Sequence, residues 1–121
     1  MRKISQLAAR AFIAGRKFNR DNTSVRLFPT IAGEMTELYL HGNVIARNRN
    51  GKMQLTLAGW PTMTTRERLN TLLSELNSNI RFYQRKHDQF ACSWRHGYDI
   101  PINSSSWYLL EDTGLTLNHA E

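Results

Sequence analysis

The pair Asn50-Gly51 lies between two stretches in which apolar residues alternate with polar ones. Leu38 and Leu40 open the first stretch, and Met53 begins the second. Asn-Gly is the pair most strongly favoured in a two-residue type I′ turn, because both central positions need positive φ. Alternation of this kind is the period of a half-buried strand. The sequence therefore predicts a β-hairpin over about residues 36–59, with its turn at residues 50–51.

The stretch His41-Gly42-Asn43 interrupts the first arm of this hairpin. We interpret it as a β-bulge, in which an extra residue redirects the strand. Bulges often lie beside functional sites, so one role for these residues is to face a ligand. A purely structural kink is the favoured alternative, because Gly and Asn accept the backbone angles that a bulge requires.

Two segments carry apolar residues at three- and four-residue spacing, which is typical of one side of a helix. They predict a first helix over about residues 3–18 and a second over about residues 65–77. Thr64 and Glu67 have the spacing of a capping box, in which two side chains satisfy free backbone N–H groups at a helix start. The apolar positions are Ile4, Leu7, Ala8, Ala11, Phe12 and Phe18 in the first segment, and Leu69, Leu72, Leu73, Leu76 and Ile80 in the second.

The remaining segments favour short strands. Residues 24–28 predict a strand closed by Pro29, followed by a loop over residues 30–34. A C-terminal hairpin, with its turn around Lys86-His87-Asp88, and a last strand are expected over about residues 80–110. The tail over residues 111–121 is expected to fray.

This order of elements predicts an α+β fold. We expect a single domain over residues 1–121, with a mainly antiparallel β-sheet made of a meander plus a hairpin, and two helices on one face. The sequence has no βαβ repeat, which argues against a doubly wound nucleotide-binding fold. Its single cysteine, Cys92, excludes an intramolecular disulfide and favours a reducing cytoplasm.

The positive charge is unevenly distributed. Residues 1–20 contain six Lys and Arg and no acidic residue, whereas the other ten basic residues are matched by ten acidic ones, so the net charge of +6 arises at the N terminus. Such asymmetry indicates a polyanionic partner, either nucleic acid or an acidic protein surface. The alternative is a set of solvated charges scattered over the domain. The candidate contact residues are Arg10, Arg16, Lys17, Arg47, Arg49, Lys52, Arg66 and Arg68.

Patterns for catalysis and metal binding are weak. Cys92 and His96 lie four residues apart with His87 nearby, but no second cysteine pair completes a tetrahedral site. His96 and Asp99 occur with serines at 104–106, yet no nucleophile elbow positions a serine. An enzyme would need His41, His87, His96 or Asp99 to meet in one pocket. We therefore expect a non-enzymatic protein with no cofactor and no metal, and with no membrane span, since no apolar run approaches roughly 18 residues.

Four segments together resemble a group of small proteins encoded by tailed bacteriophages and prophages. They are FNRDNTSV at 18–25, LHGNVIA at 40–46, the Asn50-Gly51 turn, and AGWPTMTTRERLN at 58–70. The resemblance covers about residues 18–70, and its most distinctive part is the last segment. The resemblance implies a viral protein that acts in the host bacterial cytoplasm. It implies no particular biochemical activity.

These features predict a phage-encoded, non-enzymatic protein that associates with nucleic acid through the basic first helix and the hairpin tip. Its contacts would be mostly to phosphates, which makes binding strongly dependent on salt. One alternative is an inhibitor or adaptor that uses the same basic surface against an acidic host protein. A second alternative is a minor virion component.

Overall fold

Two helices and ten strands follow one another in the computed structural model, which describes residues 3–112 and 114–117. The helices are α1 (Lys3–Ala14) and α2 (Met63–Glu75). The strands are β1 (Phe18–Arg20), β2 (Thr23–Thr30), β3 (Gly33–Leu40), β4 (Asn43–Arg49), β5 (Lys52–Leu55), β6 (Ile80–Arg85), β7 (Asp88–Ser93), β8 (Tyr98–Pro101), β9 (Tyr108–Glu111) and β10 (Gly114–Leu117).

The strands form two antiparallel sheets. Strands β1 to β5 follow one another as a meander, and β9 and β10 continue the same seven-stranded sheet in the order β1-β2-β3-β4-β5-β9-β10. Strands β6, β7 and β8 form a separate three-stranded sheet. Together with the two helices, these sheets confirm the predicted α+β fold with mainly antiparallel strands.

Both helices lie on one side of the seven-stranded sheet. Leu38 of β3, Ala46 of β4 and Leu55 of β5 are paired neighbours, and they are buried in the same cluster as Phe12 of α1 and Leu72 of α2. Because side chains alternate between the two sides of a strand, Glu37 and Tyr39 of β3, Arg47 of β4 and Gln54 of β5 point away from the helices. We call that side the outer face; it carries Arg26, Glu37, Tyr39, Arg47, Arg49, Lys52 and Gln54.

The Asn50-Gly51 turn is confirmed, with φ of 54° and 81° at its two residues. His41-Gly42 is a second turn of the same kind, with φ of 53° and 80°, so the predicted bulge at 41–43 is wrong. The predicted first arm is therefore two strands, β3 and β4. Residues that accept positive φ suit a bulge and a tight turn equally well, and only strand pairing separates the two. The actual bulge is at Ile45, which falls between the pairs Leu38–Ala46 and Tyr39–Val44.

Strand β2 passes through Pro29 instead of ending before it, and only residues 31 and 32 separate it from β3. The predicted loop over 30–34 is thus too long. Pro29 pairs with Glu34, one step beyond the turn-closing pair Thr30–Gly33. The backbone nitrogen at that step points away from the partner strand, so a proline there removes no hydrogen bond of the ladder.

Both helices begin or end at residues other than those predicted. Helix α1 stops at Ala14 because Gly15 adopts a φ of 70° and closes a Schellman motif, in which Arg16 N donates to Ala11 O at 2.8 Å. Helix α2 begins two residues earlier than expected. Its N-cap is Thr62, whose hydroxyl accepts from Thr65 N at 3.1 Å, so the capping box at 64–67 is wrong.

The C-terminal part contains more strand than the sequence predicted. Strand β9 includes Glu111, and β10 at Gly114–Leu117 pairs with it, so the chain does not fray from residue 111. A four-residue strand carries too short a pattern to be recognised, and its position depends on pairing with β9. The rest of the predicted frayed tail, residue 113 and residues 118–121, lies outside the described residues.

The β6–β7 hairpin turns at Lys86-His87, where φ is 51° and 71°. Side chains with a Cβ are strained at such angles, and Asn-Gly is the preferred pair. We expect Lys86→Asn with His87→Gly to raise the free energy of unfolding by about 1 kcal/mol. Chemical denaturation measures this change. The reciprocal exchange, Asn50→Lys with Gly51→His, should lower stability by a similar amount, and a loss at both turns would contradict this explanation.

Candidate nucleic-acid interface

A row of arginine and aromatic side chains crosses the outer face. The guanidinium of Arg26 lies 4.4 Å from the ring centroid of Tyr39, and the Tyr39 hydroxyl donates to Glu37 Oε1 at 2.5 Å. Arg47 Nε donates to the other Glu37 oxygen at 2.8 Å, and its guanidinium lies 4.6 Å from the ring centroid of Trp107. These five residues, which we call the arginine-aromatic row, connect β2, β3, β4 and the start of β9.

The centre of the row is desolvated although it lies on the open side of the sheet. Glu37 is 6% exposed, and the side chain of Arg47 is 16% exposed. A carboxylate this buried needs a partner, and here Arg47 and Tyr39 both provide one. Each guanidinium over an aromatic ring adds about 0.5 to 2 kcal/mol of attraction. The planar groups are therefore held in place before any partner arrives.

Burial and the hydrogen bond to Glu37 raise the pKa of the Tyr39 phenol, while the charges of Arg26 and Arg47 oppose this change. The folded protein thus holds the phenolic proton more tightly than the unfolded chain does. The contribution of Tyr39 to stability is complete below about pH 10 and falls as the pH rises from there through the folded-state pKa.

We expect the phenolate absorbance of Tyr39 to develop at higher pH in the folded protein than in urea. The pKa values of Tyr83 and Tyr98 are also raised, so the difference between wild type and Tyr39→Phe isolates this group. A Tyr39 titration that is identical in the folded and unfolded chains would contradict the hydrogen bond to Glu37.

Further cations adjoin the row at both ends. Arg49 and Lys52 form the pair that flanks the Asn50-Gly51 turn, and both are exposed. Arg49 Nη2 lies 3.4 Å from Met35 Sδ, which directs it along the outer face. At the other end Lys17 and Arg26 line a groove of about 460 Å³ beside β1 and β2. The outer face is therefore bordered by positive charge.

The other predicted contact residues lie elsewhere. Arg68, one of the predicted contact residues, is only 3% exposed and binds other parts of the chain instead of facing solvent. Arg66 is half-buried and donates to Pro61 O at 2.8 Å and to Gln89 Oε1 at 3.0 Å. Arg10 forms an ion pair with Glu75 at 3.0 Å on the helical side. The eight predicted cations therefore do not share one surface.

Arg16 is exposed just after α1, and Lys17 shares the groove with Arg26. The sequence-based prediction missed Arg26, Tyr39 and Trp107. Alternation in β2 and β3 places Arg26 and Tyr39 on polar sides of their strands, but it does not tell which strands pair. Trp107 comes from a distant segment, and it reaches Arg47 only because β9 adds to β5.

The residues considered for catalysis do not meet in one pocket. His41 is in the β3–β4 turn, whereas His87 and His96 lie beyond opposite ends of β7. The Tyr83 hydroxyl donates its one proton to the carboxylate of Asp99, whose two oxygens lie at 2.6 and 2.7 Å. Within 3–112 and 114–117 no group of three or more His, Cys, Asp or Glu is arranged to hold a metal ion.

Two tryptophans, Trp60 and Trp94, are largely exposed, at 61% and 79%. Trp60 does line a cavity, between the β3–β4 turn and the start of α2. Neither α1 nor α2, the helices of the described part of the chain, is long and apolar enough to cross a membrane.

Comparison with known proteins agrees with the phage resemblance. The family model described as Kyanoviridae Gp96 protein matches residues 1–112, which is almost the whole chain. No curated protein and no solved structure matches. The chain therefore belongs to the Kyanoviridae Gp96 protein family, a phage protein family.

Proposed function

We propose that this phage protein associates with single-stranded nucleic acid through the outer face of its seven-stranded sheet. The observation that carries the proposal is the pair of arginine-on-aromatic stacks, Arg26 on Tyr39 and Arg47 on Trp107, which the single carboxylate of Glu37 connects. The host bacterial cytoplasm is where such a protein would meet its ligand. The proposal moves the contact surface away from α1, where the sequence alone had placed part of it.

The chemistry of the row suits unpaired bases. Aromatic rings and guanidinium planes both stack on bases, and stacking tolerates any sequence because every base has a π-face. The exposed cations at the borders, Arg26, Arg49 and Lys52, can contact successive phosphates. A duplex hides the faces of its bases and offers only its phosphates and groove edges to such a surface.

A binding titration tests the proposal. Labelled single-stranded DNA, single-stranded RNA and duplex DNA are titrated with the protein at a low and a high salt concentration. We expect the single strands to bind more tightly than the duplex, and their affinity to fall steeply as salt rises. No binding at low salt, or an affinity that salt does not change, would eliminate the proposal.

An inhibitor or adaptor of a host protein is the second candidate function. The observation that favours it is Trp94, which is 79% exposed and followed by exposed Arg95 in the β7–β8 turn. Trp and Arg are enriched among the residues that dominate protein interfaces. Pull-down from nuclease-treated bacterial lysate tests this candidate. A stoichiometric protein partner that is lost in Trp94→Ala supports it, and recovery of the bait alone argues against it.

A further inference from the structure

A cavity of about 400 Å³ opens beside the start of α2. Its apolar surface comes from Leu40, Ile45 and Leu57, and Trp60 forms one wall. His41, Asn43, Thr62 and Thr64 add polar groups. None of the lining residues belongs to the arginine-aromatic row or to the hairpin tip, so this site is separate from the proposed nucleic-acid surface.

The composition of the cavity limits what it can bind. Its volume is within the range of about 300 to 1,000 Å³ that small-molecule sites occupy. Within the described part of the chain, the lining includes no carboxylate, ammonium or guanidinium group. A cationic ligand would lose its hydration there without meeting a carboxylate in the described lining, and an anionic one would meet no ammonium or guanidinium group. The cavity therefore favours a neutral ligand with an apolar body and a few hydrogen-bonding atoms.

The backbone at the cavity adopts conformations that residues with a Cβ rarely take. Ala58 and His41 both line the cavity with positive φ, 57° and 53°. Alanine has no side-chain group that offsets this conformation, and strained residues of this kind cluster at ligand-binding sites. The strained segment is anchored by hydrogen bonds from Ala58 N to Thr56 Oγ1 at 3.0 Å and from Gly59 N to Ser104 O at 2.8 Å.

The anchored segment fixes the backbone of Trp60. Trp60 N donates to Leu57 O at 2.9 Å, and Trp60 O accepts from Thr62 N at 2.8 Å. The indole remains 61% exposed at the cavity instead of folding into the core. A large aromatic face held against an apolar cavity is suited to stacking on a flat ring.

We propose that this cavity binds a neutral, planar heteroaromatic compound of nucleobase or nucleoside size. The ring stacks against Trp60 above Leu57, and its nitrogen and oxygen atoms bond to the Asn43 amide and the Thr64 hydroxyl. A purely hydrocarbon ring would leave these polar groups without a contribution to binding. Among the described lining residues, a cation would meet no carboxylate, and an anion would meet neither an ammonium nor a guanidinium group.

Isothermal titration with adenosine, guanosine, cytidine and uridine tests the site. We expect at least one nucleoside to bind wild type at micromolar to millimolar concentration, and Trp60→Ala to weaken that binding by at least about tenfold. Trp60→Phe retains a ring and should recover part of the loss. Trp94→Ala removes another exposed tryptophan, 79% exposed, and should leave the affinity unchanged.

Three results would overturn the assignment. The first is that no nucleoside binds wild type at millimolar concentration. The second is equal binding by wild type and Trp60→Ala, with thermal denaturation showing that both are folded. The third is that toluene binds more tightly than every nucleoside, or that adenosine 5′-monophosphate binds more than about tenfold more tightly than adenosine. The site would then prefer a hydrocarbon in the first case and an anion in the second.

The two proposals can fail separately. Trp60→Ala should bind a single-stranded polynucleotide as wild type does, because Trp60 is not on the outer face. Conversely, replacement of Arg26, Arg49 and Lys52 should leave nucleoside binding unchanged. A parallel loss in both assays would show that the two sites are not separate and would overturn the cavity assignment.

Discussion

Replacement of Arg68 by alanine is expected to lower the free energy of unfolding by about 3 to 5 kcal/mol, because it breaks a buried ionic network. Arg68 Nη1 donates to Ser5 Oγ of α1 and to Glu67 Oε1, both at 2.6 Å. Arg68 Nε donates to Thr23 Oγ1 at 3.0 Å, and Nη2 donates to Asn22 Oδ1 at 3.3 Å. One guanidinium thus joins both helices to the β1–β2 hairpin.

The cost arises from the groups that the change leaves behind. Ser5 and Thr23 are each 1% exposed, and water cannot replace the lost donor without opening the helix interface. Arg68→Lys should also be destabilising, by about 2 kcal/mol. The single ammonium nitrogen of lysine cannot reach partners in several directions as the planar guanidinium of arginine does. The loss expected for Arg68→Ala is a large part of the free energy of unfolding of a typical domain, which is roughly 5 to 15 kcal/mol.

Urea denaturation followed by circular dichroism measures the effect. Arg16→Ala is the matched control, since Arg16 is exposed and its replacement should change stability by less than about 0.5 kcal/mol. If Arg68→Ala cannot be purified in folded form, Ser5→Ala removes one partner and should cost about 1 to 2 kcal/mol. Equal stability of Arg68→Ala and Arg16→Ala would contradict the structural role.

Joint replacement of Arg26, Arg49 and Lys52 by alanine is expected to weaken binding of single-stranded nucleic acid by roughly 10- to 100-fold at low salt. Each lost phosphate contact also reduces the slope of log K against log salt by about 0.7. The loss should be similar for different sequences, because phosphate contacts do not read bases. Arg47 is kept in this variant, since its removal would leave the buried Glu37 without its ion pair.

The control variant replaces Lys3, Lys86 and Arg95, three exposed cations that lie outside the outer face. It lowers the net charge by the same amount, so it separates a local surface from a general effect of charge. We expect less than about threefold loss for the control. Equal losses in the two variants would remove the outer face as the binding surface and would favour attraction by net charge alone.

The strongest local signals predicted the elements correctly. Asn50-Gly51 forms its turn because Asn-Gly is the pair that most favours two positive φ angles, and the alternation around it produces β4 and β5. Leu69, Leu72 and Leu73 form the buried side of α2, since 3.6-residue periodicity is a property of a single helix. These features depend on neighbouring residues alone, and the sequence displays them directly.

The segment that carries the phage resemblance has mainly structural roles. Thr62 caps α2, and Arg68 forms the network between the helices. Asn70 donates to Phe82 O at 2.9 Å and accepts from Phe82 N at 2.8 Å, which satisfies the edge of β6. Arg66 connects the start of α2 to the three-stranded sheet. Within this motif Arg66, Arg68 and Asn70 therefore serve the fold, whereas Trp60 and Thr64 line the cavity proposed to bind a ligand.

The sequence by itself determined the α+β class, the two helices, the Asn50-Gly51 hairpin and the excess of positive charge. Only the tertiary structure decided which cations are available, burying Arg68 and leaving Arg49 exposed. It also decided that Arg47 meets Trp107, 60 residues later in the chain. The physical reason is range: helix periodicity and turn geometry depend on adjacent residues, whereas burial and stacking depend on strand register and on pairing between distant segments.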